Sequence, residues 1–284
     1  MSLGVLNNIS AIYAQNNLSA TQMNLSKTLQ QLSSGSRINS GADDAAGLAV
    51  ADGLAANEIA LAQSTRNASD ATGLLQTADG ALSQVTTLLN RAVTLATQAA
   101  NGTLSSSQVS SANQEYQNIL TQVGNIGATT NFNGTSVFSA AARNFFVSDG
   151  TTAGSSTYSD TVGVLTTASV GTTASGSGVD FTATGVATLS ATTAVNVLTA
   201  LTNAIGDVAY QRGTIGADIN QLSSASSVAS NEQTNLNSAE DSIRATDYGQ
   251  AASNLSKYQV LSQTGISALA QANSVQQEVT KLLQ

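Results

Sequence analysis

Catalysis needs groups that trade protons or electrons near neutral pH, and this chain is poor in them. It contains no His and no Cys, which removes imidazole bases, thiolate nucleophiles and the usual zinc ligands. Serines abound, yet no motif sets a base beside one. Neither of the phosphate-cradling glycine motifs is present. What remains is the adjacent pair Asp43-Asp44, two carboxylates that could divide acid and base roles. Their setting points elsewhere, because they stand just before a long helical pattern, where negative charge meets the positive end of a helix. The pair is read as a helix start. The chain is read as a non-enzyme, without a cofactor or a metal site.

The elements around that pair are long helices. Leu18, Leu25, Leu29 and Leu32 fall at i, i+7, i+11 and i+14, a heptad-compatible stripe that ends at Ser34-Gly35, where Gly is the favoured helix stop. From Asp43-Asp44 the pattern runs to Asn101-Gly102 without a Pro, a span of about 85 Å at roughly 1.5 Å per residue. Such length suggests a rod or coiled-coil bundle. Ser105 to Ser107 cap a third helix through Ile119, Leu120, Val123 and Ile126. Asn133-Gly134 then signals a hairpin, and Phe145, Phe146 and Val147 read as a short strand. Residues 148–190 turn to Ser, Thr, Gly and Ala and read as a small exposed β or loop region. Helix resumes near 190–193 and breaks around 245–249. In the last segment Tyr258, Leu261, Gly265, Ala268, Ala272, Val275, Val279 and Leu282 alternate steps of three and four. Leu255, Ile266 and Leu269 widen that apolar surface, and a helix adhesive on more than one face needs partners.

Composition supports a thin-cored rod. The chain has no Trp, and aromatics make up 4% of it; since each aromatic buries roughly 150–250 Å², the core must be built from Ala, Leu, Val and Ile seams. The net charge of -8 and the scattered basic residues argue against a nucleic-acid partner. The first 42 residues hold Lys27 and Arg37 and no acidic side chain, so this end is cheap to bury in an assembly. No basic start followed by an apolar run marks an ordinary signal peptide, and no window reads as a membrane span.

The run Leu32-Ser33-Ser34-Gly35-Ser36-Arg37-Ile38-Asn39-Ser40, followed by Asp43-Asp44-Ala45-Ala46-Gly47-Leu48-Ala49, resembles the N-terminal signature of bacterial flagellins. Further matches follow in the family's order: Arg66-Asn67-Ala68, Gln98-Ala99-Ala100-Asn101-Gly102 and Phe132-Asn133-Gly134-Thr135. Near the other end stand Ser242-Ile243-Arg244 with Asp247-Tyr248, then Leu269-Ala270-Gln271-Ala272-Asn273. The matches cover roughly residues 1–147 and 190–284.

The resemblance implies a mainly α fold: a long-helix rod or coiled-coil bundle made by paired N- and C-terminal segments, with a small β-hairpin region in the middle. It implies five segments. Residues 1–42 and 248–284 form the two halves of an inner tube domain, 43–147 and 191–247 the two parts of a rod domain, and 148–190 a short variable surface. It implies self-assembly into a helical homopolymer, the flagellar filament, through a seam of Leu18, Leu25, Leu29, Leu32, Tyr258, Leu261, Ala268, Ala272, Val275, Val279 and Leu282. Arg37, Asp43, Asp44, Arg244 and Asp247 would form the junction between tube and rod. Ser242 and Ala245 stand where family members often carry Arg and Asp, which removes two charged partners there. The implied route is type III export, with an export chaperone, a cap protein and hook-filament junction proteins as partners. Arg91, Leu95 and Glu115 match positions that contact a Toll-like receptor in some family members. A hook-filament junction protein is the alternative identity, and an immune ligand the alternative role.

Overall fold

The computed structural model describes residues 8–150, 157–170 and 178–282, the side chains of 279–282 excepted. Five helices carry it: α1 (Ile9–Ser34), α2 (Ala45–Ala100), α3 (Ser106–Thr129), α4 (Ala194–Arg244) and α5 (Tyr248–Leu282). Between α3 and α4 the described residues form three two-stranded antiparallel ribbons. They are β1–β2 (Asn131–Phe132 with Thr135–Ser136), β3–β4 (Arg143–Phe146 with Thr157–Asp160) and β5–β6 (Ser169–Val170 with Val179–Asp180). The mainly α class with a small central β part is what the helical periodicities predict.

Local chemistry sets the ends of these elements. Gly35 adopts φ 71°, and its N–H donates to the Gln31 carbonyl, which closes α1 with the left-handed cap that glycine permits. Ser105 and Gln108 form a reciprocal capping box at the start of α3, worth about 1 kcal/mol. Asn133 and Gly134 both take positive φ, as the two-residue β1–β2 turn requires.

The chain divides into two compact units. One comprises residues 1–57 and 234–284, the other residues 58–233. The division falls inside α2 and α4 rather than at the loops 35–44 and 245–247.

In the 58–233 unit, α2 contributes Leu61, Ser64, Ala68, Ala71, Leu75, Ala78, Leu82, Val85, Leu89, Ala92, Ala96 and Ala99 as buried positions, in unbroken steps of three and four. Helix α4 answers with Ala194, Val197, Leu201, Ala204, Val208, Gln211, Ile215, Asp218 and Leu222 in the same rhythm, then Ala229 one heptad on, and α3 adds Ala112, Tyr116, Ile119, Leu120 and Val123. This is coiled-coil patterning in a bundle of small side chains. A bidentate pair between Arg212 and Asp79 (2.7 and 3.3 Å) ties α4 to α2.

The middle region is less exposed than its composition suggests. Val162, Leu165, Val170, Phe181 and Leu189 are buried in the same core. The Tyr116 hydroxyl donates to the Val186 carbonyl (3.0 Å), and Gln117 Nε2 donates to that of Ala187 (2.6 Å). The segment covers α3, and sparse apolar residues among many Ser and Thr are enough to hold it there.

Two polar residues interrupt the α4 seam, Gln211 and Asp218, one heptad apart. Gln211 is buried, and its Nε2 has no hydrogen-bond partner among the described residues. An unpaired buried amide costs about 1–3 kcal/mol. Replacing Gln211 with Leu is therefore expected to raise unfolding stability by about 1–2 kcal/mol, read by urea titration; a destabilised Gln211→Leu chain would count against this packing.

The expectation that no window is apolar enough for a membrane is corrected. By length and composition α2 qualifies, with a stretch of mean hydropathy 1.3 of which 11% is buried. Its hydropathy comes from many Ala side chains rather than a continuous wall of large ones, which is why reading for unbroken large apolar runs passed over it.

Candidate assembly interface and junction

Helices α1 and α5 lie antiparallel. At one end Asn8 Nδ2 donates to the Ala272 carbonyl at 2.9 Å; at the other the Thr246 N–H donates to the Gly35 carbonyl at 3.0 Å. The residues turned inward on α1 are Ala11, Ala14, Leu18, Thr21, Leu25, Thr28 and Leu32. Thr21 and Thr28 fit because each hydroxyl donates to the carbonyl four residues back, at 2.8 and 2.9 Å. The methyl is then free to pack. On α5 the inward residues are Ala251, Leu255, Tyr258, Ser262, Gly265, Leu269 and Ala272. Leu18 seats against Gly265, where a Cβ would meet its Cδ1 at 3.2 Å.

This geometry sorts the expected seam residues into two groups. Leu18, Leu25, Leu32, Tyr258 and Ala272 face the partner helix within the chain. Leu29, Leu261, Ala268 and Val275 do not: they are exposed, Leu29 at 48% and Leu261 and Val275 at 43% each. The reading that placed all of them in one stripe is corrected. On α5 that stripe mixes the inward line with residues one heptad apart on the neighbouring face (261, 268, 275). On α1 the inward step after Leu25 is three, to Thr28, rather than four, to Leu29. The side chains of Val279 and Leu282 lie outside the described residues.

A large apolar surface is left open in consequence. Ile9, Ile12, Tyr13, Met23 and Leu29 on α1 are exposed, as are Val260, Leu261, Ile266 and Val275 on α5. Surfaces of this kind mark interaction sites. Charge is scarce beside them, with Lys27 and Lys257 among few ionised groups on these helices, so covering them carries little desolvation cost.

The junction is built by hydrogen bonds. Arg37 N–H donates to the Arg244 carbonyl (2.6 Å) and its guanidinium to the Ile243 carbonyl (2.8 Å); Ser36 bridges Ala245. Arg244 lies 3.1 Å from Glu240 and 3.7 Å from Asp52, its partners on α4 and α2. Asp44 caps α2 by accepting from the Gly47 N–H (2.9 Å), and Asp247 caps α5 by accepting from that of Gln250 (3.0 Å).

Asp43 accepts the Lys27 ammonium at 2.7 Å, the Ser40 hydroxyl and the N–H groups of Ser40 and Asn39. Lys27 first, then Ser40 and Asn39, hold its carboxyl down from 3.8 to about 2. An acid this strong stays ionised at neutral pH, which suits Asp43 to fastening the 39–40 loop to Lys27. A depressed carboxyl contributes stability above its unfolded value that is lost as pH falls from about 4 through about 2. In a carbon-detected titration Asp43 should reach its midpoint near 2, and Asp43→Asn should remove that inflection and speed exchange of the Asn39 and Ser40 amides. A midpoint near 4 would contradict the assignment.

Leu95 is 3% exposed, buried in the core beside the inward line of α2 and not on its surface. Arg91 and Glu115 are exposed and clasp each other in a two-bond fork of 2.7 and 3.2 Å. Arg91 holds the Glu115 carboxyl below its usual range. Sequence reading missed the buried acid pair Asp160 and Asp218, which lie on β4 and α4 with no local motif to join them.

Comparison with known proteins agrees with this geometry. Residues 5–143 match the family described as bacterial flagellin N-terminal helical region, and residues 198–283 match the bacterial flagellin C-terminal helical region. The chain is 32% identical to a flagellin of Listeria innocua and 31% identical to one of Listeria monocytogenes, covering 97% of this chain and 98% of each relative. It is 40% identical to flagellin 1 of Proteus mirabilis over 51% of this chain, spanning 40% of that longer protein. The chain belongs to the bacterial flagellins. It is a structural subunit of the extracellular flagellar filament, the organelle of swimming motility.

Proposed function

We propose that the α1–α5 pair forms the inner layer of the filament and that the open apolar face (Leu29, Leu261, Ala268 and Val275, with Ile12, Met23 and Ile266) is where sister subunits pack. The observation that carries this reading is a nearly uncharged helix pair whose large side chains are only half used within the chain. Each added subunit covers such a face, so polymerisation and the stability of the terminal helices are linked. Residues 43–147 and 191–247 are the two parts of the rod domain, with 148–190 its short variable region. The role is mechanical rather than catalytic: interlocked helices give the filament the stiffness to turn torque into thrust.

Before assembly the same face of α5 suits an export chaperone, since the exported subunit must keep it covered. A cap protein at the growing tip and hook-filament junction proteins at the base complete the set of partners, with type III export as the route. Arg91 and Glu115 are the charged pair offered to a Toll-like receptor, without Leu95. Purified chain brought to high salt and viewed by negative stain should give long filaments; rings, short stubs or no polymer would overturn the assembly reading.

A further inference from the structure

Inside the 58–233 unit, two acids face each other where apolar side chains would be expected. Asp160, the last residue of β4, and Asp218, on the buried line of α4, are 8% and 9% exposed. Their carboxyls lie within hydrogen-bonding reach, and the Tyr158 phenol reaches Asp218 as well. Two carboxylates this close in a core cannot both ionise without strong repulsion, so Asp160 holds on to its proton.

We propose that this pair is a proton-operated latch: the proton on Asp160 fastens the β3–β4 ribbon to α4, and its loss drives the ribbon and the helix apart.

The charged and titratable groups facing the pair come from each neighbouring element. On β4 it is Tyr158, whose phenol is pushed up by burial first and then by Asp218, so it stays a donor. On β3 it is Arg143, directly opposite Asp160 in the ladder; its attraction offsets only part of the repulsion. On α2, Asp70 lines a pocket together with Arg143, while the buried residues Ala68, Ala71 and Leu75 are uncharged. The Thr161 N–H also donates to Asp160, yet burial and Asp218 together outweigh these favourable contacts and raise Asp160 from 3.8 to about 6. A raised carboxyl binds its proton more tightly in the folded chain than in the unfolded one. The stability it gives is present at low pH and is lost as pH rises from about 4 through about 6.

The surroundings allow the ribbon to move on one side. Toward α2 it is tied down, because Ser64 Oγ donates to the Ser148 carbonyl (2.6 Å) and Asn67 Nδ2 to that of Phe146 (3.1 Å). Beside Tyr158 a cavity of about 320 Å³ separates the ribbon residues Val147 and Thr157 from Gln221, Leu222 and Ala225 of α4, with Leu61 of α2 at its edge. Water entering there would reach the latch from its Tyr158 side once the proton leaves. As part of an extracellular filament, the ribbon would respond to the pH outside the cell.

Hydrogen exchange on the full chain tests the latch. Protection of the 143–146 and 157–160 amides, corrected for intrinsic rates, should fall at least tenfold between pH 5 and pH 8 in the wild type. In Asp218→Asn, which cannot carry the second charge, it should change less than twofold. Equal wild-type protection at both pH values, or the same loss in Asp218→Asn, would overturn the proposal. Should that variant fail to fold by circular dichroism, the Asp160 carboxyl carbon is titrated in the wild type. A midpoint at 5 or above upholds the latch, and one near 4 removes it.

Discussion

Changing Leu261 and Val275 together to Glu is expected to leave the isolated chain folded, with an unchanged melting midpoint, and to abolish filament formation. Both side chains are exposed on α5 and make no part of the inward line to α1, so the single molecule loses little. In the proposed packing the same positions meet apolar surface of a sister subunit. An unpaired carboxylate buried there costs several kcal/mol, and two per subunit raise the concentration needed for polymerisation by at least about a thousandfold, at 1.4 kcal/mol per decade. Sedimentation of salted-out protein measures it. The comparison is Leu25→Glu, which strikes the inward line and should instead lower the melting midpoint of the monomer. Ordinary filaments from the Leu261/Val275 double variant at wild-type concentration would show that this face is not covered.

The second large effect concerns the cover over α3. Gly127 lies beneath the Leu165 backbone, and a Cβ there would overlap the Leu165 carbonyl oxygen and come within 2.8 Å of its carbonyl carbon. Backbone cannot turn aside as a flexible side chain can. Gly127→Ala is expected to cost about 3 kcal/mol through overpacking, lowering the melting midpoint by roughly 6–12 °C. Gly80→Ala in α2 makes the contrast, since nothing lies within 4 Å of a Cβ there. Relieved of glycine's helical cost, that variant should gain up to about 1 kcal/mol. Equal effects from the two substitutions would mean that the 157–170 segment does not sit on α3.

Much of the architecture could be read from residues whose chemistry is local. Gly35, Ser105, Asn133-Gly134 and the break before Tyr248 each announce an element boundary through a cap or a turn, and the structure places them there. Seam phase was harder. Step counting cannot tell a threonine that packs its methyl inward from one on a polar surface. Thr28, with its hydroxyl satisfied inside its own helix, therefore gave no sign of burial. On α5, Ser262 and Gly265 occupy the inward line while Leu261 and Ile266 stand outside it. The larger apolar residues are displaced outward because closely approaching helices need small ones between them, and a pattern search weights size the opposite way. The Asp160–Asp218 contact was illegible for a different reason: it joins a strand to a helix across an intervening Ser- and Thr-rich segment, and each acid alone looks solvent-facing.

The absence of Cys makes a direct test of the central idea simple, since one introduced thiol is the only one present. Ala268→Cys places it on the open α5 face, and Thr182→Cys supplies a control after β6. Maleimide labelling of each is timed in monomer and in filament. The account predicts fast reaction at both sites in the monomer, and in the filament at least a hundredfold slowing at 268 with little change at 182. Equal labelling of 268 before and after polymerisation would contradict it.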